Sequence, residues 1–167
     1  MRLMKMLSLF FMLMLLLCLP LLLQAQTPDA PLQNIYGVGL SFNSGANSPV
    51  AGTGLYAHAI GTSGTYAFGV FDALPNTTKP FTVTSNTGVG IAQKVMTIGS
   101  VPIYVPTAAG VSWTGSNTGW SWSTGALGVI HLKKDWYLLP NIRVAKSSVS
   151  GSTGYQPIGG FILAWGK

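Results

Sequence analysis

"NIYGVGLSFN", Asn34 to Asn43, is the stretch whose reading decides the fold. Successive side chains of a strand point to opposite faces. Tyr36, Val38, Leu40 and Phe42 therefore share one side, and Gly37, Gly39 and Ser41 share the other. If the bulky side packs on a second sheet, the chain is a soluble sandwich. If it faces hydrocarbon, the glycine side lines a narrow barrel.

Other runs repeat the pattern. From Phe81, one face carries Phe81, Val83, Val89 and Ile91, against Thr82, Thr84, Asn86, Gly88, Gly90 and Ala92. Further on, Trp136, Leu138, Pro140, Ile142 and Val144 oppose Tyr137, Asn141, Arg143 and Ala145. In the second run, Leu55, Ala57 and Ala59 read as the apolar face, against Gly54, Tyr56 and His58. Two runs are ambiguous. Tyr66, Phe68 and Val70 face away from Ala67, Gly69 and Phe71, so aromatics lie on both sides. Trp120 and Trp122 oppose Leu127 and Val129, which implies a bulge or a misplaced boundary.

No window shows helical periodicity; short runs alternate with Gly, Ser, Asn and Pro clusters at near-regular spacing, the pattern of antiparallel β structure. Eight strands are predicted, over 34–43, 50–60, 65–73, 80–94, 106–115, 119–132, 136–146 and 155–165. The connections are short apart from a longer one over 96–105. Strands that cross a membrane need about 9–11 residues, which these runs supply.

Composition bears on which face is wet. Charged residues are 7% of the 167-residue chain, where ordinary domains carry about a quarter, and glutamate is absent. A soluble sandwich would show Lys, Glu and Thr on its outer faces, yet the second faces here are rich in Gly, Ala and Ser. Small residues suit the lumen of a small barrel. The bulky faces can then meet lipid, and closure pairs every strand edge. Tyr36, Phe42, Tyr66, Phe81, Trp113, Trp136, Phe161 and Trp165 fall mostly near strand ends, as in the aromatic girdles of membrane barrels.

The first segment reads as an export signal, to be set aside from the fold. Arg2 and Lys5 precede the apolar run Met6 to Leu23, and Leu23-Gln24-Ala25 places a small residue before a cut expected after Ala25. An uncleaved anchor is the alternative, since the run overlaps the lower limit for a spanning helix; Pro20 and the lack of stop-transfer charges weigh against it. The domain division is then 1–25 signal peptide, 26–33 linker and 34–167 barrel. The single cysteine, Cys18, falls in the signal and follows Leu15, Leu16 and Leu17 rather than small residues, which argues against lipoprotein processing. The mature chain would have neither a disulfide nor a thiolate metal site. Loss of two bases with the signal takes the net charge from +6 to +4 (7 − 3). The remaining lysines are scattered, without the basic stripe that binds nucleic acid.

The stretch "GGFILAWGK", Gly159 to Lys167, carries a family resemblance. Gly160, Leu163 and Trp165 resemble the C-terminal insertion signal of bacterial outer-membrane barrels, with Leu163 and Trp165 on one face. Gly166 and Lys167 after the aromatic depart from the pattern, as does Ile158 where a polar residue is usual. With the export signal and eight strands, the mature chain looks like a small eight-stranded outer-membrane barrel, closed, antiparallel and up-and-down. The resemblance implies a cell outer membrane location, outer-membrane lipid as partner, and insertion by the barrel-assembly machinery through the last strand. It also implies external loops at 43–50, 74–79, 115–118 and 147–154, and periplasmic turns at 61–64, 96–105 and 133–135. Loops this short leave little surface for adhesion or receptor binding.

Few residues could carry chemistry. His58 and His131 lie near predicted periplasmic strand ends, and no third ligand accompanies them. Some small barrels that resemble this chain remodel lipid A using His with Ser and an acid. Here Asp72 is the sole acid within a predicted strand and sits at the opposite end from His58, whereas nucleophile and base must be within hydrogen-bond reach. The pairs Gly37-Gly39 and Gly88-Gly90 lack the third glycine and the helix of a nucleotide site, and read as curvature points. Arg143 points inward from a strand that is otherwise apolar outside. A charge in a cramped lumen needs a partner, and Asp72 across the upper lumen is the predicted one; the alternative is that Arg143 reaches water.

The expectation is a non-enzymatic integral outer-membrane barrel with a structural or surface role and a narrow, largely filled lumen, with no catalytic, cofactor or metal residues and no small-molecule substrate. The alternatives are a secreted soluble barrel or sandwich that binds a small apolar ligand, and a self-assembling extracellular subunit.

Overall fold

The computed structural model describes residues 33–43, 50–60, 64–76, 82–149 and 152–167. The expected signal peptide, most of the linker, Cys18, Lys79 and Phe81 lie outside the described residues. Nine β-elements follow in chain order: β1 (Asn34–Asn43), β2 (Val50–Ile60), β3 (Thr65–Asn76), β4 (Thr82–Ile98), β5 (Val101–Thr114), β6 (Asn117–Gly128), β7 (Ile130–Lys133), β8 (Trp136–Val149) and β9 (Ser152–Gly166). Every pairing is antiparallel. β1 pairs with both β2 and β9, and β6 and β7 both pair with β8, so the sheet closes on itself. β6 and β7 form one wall strand interrupted at Val129, whose N–H donates to the carbonyl of Pro102 at 3.1 Å. The wall is thus a closed eight-stranded antiparallel barrel.

Register sets the shape of this barrel. Paired residues can be followed around the wall from Gln33 through Ala59, Tyr66, Ala92 and Pro106. Pro106 stands opposite Gly125 by the register on either side of it, and the path continues through Arg143 and Ile158 to Asn43. It returns to β1 ten residues above its start (43 − 33). Eight strands ~4.8 Å apart with a ten-residue stagger of ~33 Å must tilt by about 41° from the barrel axis. That tilt brings neighbouring backbones close at the inward glycines. A Cβ on Gly39 would run into the carbonyl oxygen of Phe161, and one on Gly90 into that of Thr107.

Inward and outward faces follow the alternation in β1, β4 and β8 as expected. Val38 and Leu40 are 61% and 60% exposed, so the bulky face of the opening stretch packs on no second layer among the described residues. One strand reverses the expectation, and another, ambiguous in the sequence, is resolved. In β2, Leu55, Ala57 and Ala59 point inward, and Tyr56 and His58 outward. In β3, Tyr66, Phe68 and Val70 point inward, which removes Tyr66 from the expected girdle. The pairing allows this: Phe68 stands opposite Gly90 and Val70 opposite Gly88, a bulky strand facing a bare one.

The connection expected over 96–105 is strand instead. β4 and β5 run on to a two-residue turn at Gly99-Ser100, with Gly99 at φ 60°. Pro102 and Pro106 imitate turn residues in the sequence. At Pro106 the ladder to β6 is broken, between the pairs Tyr104–Leu127 and Thr107–Thr124. A bulge between Lys94 and Met96 shifts the register, so that Met96 and Ile98 pair with Ile103 and Val101. Strands also replace part of the expected external loops: β3 runs to Asn76, β8 to Val149, and β9 starts at Ser152.

Candidate functional site

The lumen divides into two halves along the barrel axis. In the half nearer the turns 64, 99–100 and 134–135, Ile35, Ala57, Tyr66, Phe68, Tyr104, Tyr137, Leu139, Ile162 and Ala164 form one buried apolar cluster. The rings of Tyr66 and Tyr104 meet edge to face with centroids 5.6 Å apart. The cluster draws side chains from β1, β2, β3, β5, β8 and β9.

The other half is polar, and Arg143 sits in it at 8% exposure. The guanidinium Nη2 donates to Oδ1 of Asp72, the ion pair expected from sequence. Thr53 lies between strands that position both partners: it is paired with Asp72 across β2 and β3, and its hydroxyl donates to Asp72 Oδ1 at 2.8 Å. That use of its single proton makes Thr53 an acceptor for its other contacts, from Ser41 Oγ at 3.0 Å and Arg143 Nη2 at 3.3 Å. Four inward side chains from β1, β2, β3 and β8 thus form one network, all of them nine-tenths or more buried. An Arg–Asp pair at this depth is held by hydrogen bonds as well as by charge, since desolvation alone would outweigh the attraction.

Further polar atoms face the same half without a protein partner among the described residues: Asn86 Nδ2 and Oδ1, Ser112 Oγ, Asn141 Nδ2 and Oδ1, Arg143 Nε and Gln156 Oε1. The sequence reading identified Arg143 and Asp72 but not these amides, nor Thr53 and Ser41. The alternation of β4 and β8 had already placed Asn86 and Asn141 inward; their common height required the register.

The two histidines are not brought together. The outward His58 contacts Asn34 Oδ1 through Nδ1 at 2.9 Å, and Tyr56 donates to the same oxygen at 3.2 Å. His131 donates from Nε2 to the carbonyl of Lys134 at 2.5 Å and stacks on Tyr137, with ring centroids 5.1 Å apart. Among the described residues no three of His, Cys, Asp and Glu gather as metal ligands.

The outer wall is the second feature. Tyr36, Tyr56, Trp165 and Trp136 form a chain of ring contacts at one rim, with centroid separations of 5.1 Å (Tyr36–Tyr56), 5.9 Å (Tyr36–Trp165) and 6.0 Å (Trp136–Trp165). At the other rim Lys146 lies over the rings of Trp120 and Tyr155, at 5.6 and 4.9 Å. On β8, Trp136 and Lys146 are ten residues apart (146 − 136). At ~3.3 Å per residue and the tilt above, they stand about 25 Å apart along the axis, the height of the apolar band of membrane barrels. Between them the outward residues of β8 are Leu138, Pro140, Ile142 and Val144.

This architecture is that of a closed eight-stranded antiparallel barrel. No protein family and no curated protein matches the chain. Among solved structures it is similar to a product of the de novo design of transmembrane β-barrels, at 14% identity and a TM-score of 0.46, covering 86% of this chain and 100% of that one. It is also similar to Ail, the attachment invasion locus protein of Yersinia pestis, at 13% identity and a TM-score of 0.45, covering 80% of this chain and 93% of Ail.

Proposed function

We propose that the chain is a non-enzymatic integral barrel of the bacterial outer membrane, exported by the signal at 1–25, with a structural or surface role and a filled lumen. Its partners are then outer-membrane lipid and, during insertion, the barrel-assembly machinery acting on β9; no nucleic acid or small-molecule substrate is assigned. The observation that carries this reading is the inverted wall: large apolar residues stand exposed on the outer face, with Val89 at 72%, while the inner face holds the ion pair.

Both halves support the reading of a filled lumen. The apolar layer blocks the lumen on one side of the ion pair, and eight strands leave no porin-sized channel. On the other side the unpartnered atoms comprise three donors (Asn86 Nδ2, Asn141 Nδ2, Arg143 Nε) and three acceptors (Asn86 Oδ1, Asn141 Oδ1, Gln156 Oε1), with Ser112 able to do either. Water satisfies a balanced set of this kind, whereas an ion would satisfy only half of it.

The test places arginine at two heights on the outer wall. Val89 lies mid-wall, paired with Gly69 and Ala109, and Val83 lies near a rim. In lipid vesicles, Val89→Arg is expected to cost about 2–4 kcal/mol of unfolding free energy and Val83→Arg about 0–1. Equal and negligible costs would sink the membrane reading, because an exposed site in water tolerates arginine within about 0.5 kcal/mol. Cell fractionation separates the alternatives: recovery as a monomer in clear supernatant favours a soluble binder, and as large polymers an assembling subunit.

A further inference from the structure

Three lysines converge at the rim where β7 turns into β8. Lys133 pairs with Trp136 and Trp136 with Trp165. The N–H of Gly166 donates to the carbonyl of Asp135 at 2.9 Å, which brings Lys167 beside the Lys134-Asp135 turn. All three lysines are exposed. Against them stands Asp135, leaving a side-chain charge of +2 (3 − 1). The ring shelf of Trp136, Trp165 and Tyr36 adjoins the cluster on the outer wall, and the exposed Leu163 and Val38 continue it toward mid-wall.

Backbone conformation gives a second, independent observation. Lys134 has φ 53°, the left-handed region that disfavours a Cβ. The other described residues with positive φ are glycines: Gly64, Gly99 and Gly115, each at a turn. Glycine would meet the geometry of this turn without strain. Lysine adds a cation there at the expense of backbone strain.

We propose that Lys133, Lys134 and Lys167, with the shelf of Trp136, Trp165 and Tyr36, bind the anionic headgroup of a phospholipid in the leaflet that meets this rim. The site rests on the membrane reading above; in the orientation implied by the resemblance, the leaflet is the periplasmic one. The lysines supply charge for the phosphate, and the rings occupy the level between headgroup and acyl chain where amphipathic aromatics settle. An acidic glycan would satisfy the lysines and leave three exposed rings in water. A second copy of the chain docked by the same face would set the lysines of one copy against those of the other. The opposite rim offers no such cluster among the described residues: Lys146 is alone there, between Trp120 and Tyr155.

The test is native mass spectrometry of the mature chain released from micelles with equal phosphatidylglycerol and phosphatidylethanolamine. Retained lipid is expected to be mainly phosphatidylglycerol. Preference should fall by roughly fivefold for each lysine removed, across Lys134→Gln and the triple variant Lys133→Gln, Lys134→Gln, Lys167→Gln. Lys146→Gln should leave it unchanged. Lys134→Gly is the sharpest variant: preference should drop about fivefold while the urea midpoint holds or rises, since a purely structural lysine would not separate the two. The assignment is overturned if the triple variant keeps the wild-type ratio, if Lys146→Gln lowers it equally, or if the protein leaves the micelle as a dimer without lipid. A chain that needs no detergent and retains neither lipid overturns the membrane reading itself.

Discussion

The two halves of the lumen solve one problem by different chemistry. Both must accommodate inward side chains inside one closed wall. Around Phe68 and Tyr104 the filling is apolar and set by shape. Around Arg143 it is polar, and set by partners: one ion pair, one threonine that receives two donors and serves one acceptor, and amides in water-like balance. A shape-filled layer fails by losing volume, whereas a partner-filled one fails by losing half of a pair, so the two should respond differently to rescue.

The largest effect is expected in the polar half. Arg143→Met leaves the Asp72 carboxylate buried without its partner, and should cost about 3–5 kcal/mol in urea unfolding from lipid. Adding Asp72→Leu should recover most of that loss, because replacing both members of a buried pair by apolar groups is often neutral or favourable. A loss under about 1 kcal/mol for Arg143→Met would show that water reaches the site and that the pair is a surface-like one.

In the apolar half, Phe68→Ala should cost about 3 kcal/mol, from lost burial and the cavity left opposite Gly90. A second truncation, Tyr104→Ala, should add to this loss rather than restore anything. Rescue of one apolar truncation by another would contradict filling by shape. Unfolding free energies of the two singles and the double decide the matter.

The contrast also explains what could be read from sequence. β1, β4 and β8 were legible because bulk lies outside and small or polar residues inside, so alternation alone gives the faces. β2 and β3 were not, because their bulky residues point inward against bare positions on the neighbouring strands. Phe68 and Leu55 can point inward only because Gly90 and Gly37 stand opposite, and that compensation is visible only once register is known. Arg143 and Asp72 were legible as lone charges on inward positions of a chain with few charges. Thr53, Ser41 and the amides were not, since a threonine on an inward face has no sequence signature of its height. The lysine rim is not legible as a cluster because Lys167 joins Lys133 and Lys134 only through the β8–β9 pairing.

The smallest effect tests the two faces of the wall with a single residue type. Gly90 points inward, where a Cβ would collide with the Thr107 carbonyl and the Ala108 backbone of the neighbouring strand. Gly69 points outward, and a Cβ there would meet nothing nearer than the Gly88 carbonyl oxygen at 3.9 Å. Neither position has positive φ, so strain in the left-handed region plays no part. Gly90→Ala should therefore cost about 1–3 kcal/mol, as backbones held together by a ten-residue stagger are forced apart. Gly69→Ala should be neutral or stabilise by about 0.4–1 kcal/mol, through the narrower unfolded ensemble of alanine. Guanidinium midpoints of the two variants give the comparison directly. Equal shifts would mean that the wall is loose enough to absorb a methyl group on its inner face, and that inward glycines are not what allows its tight curvature.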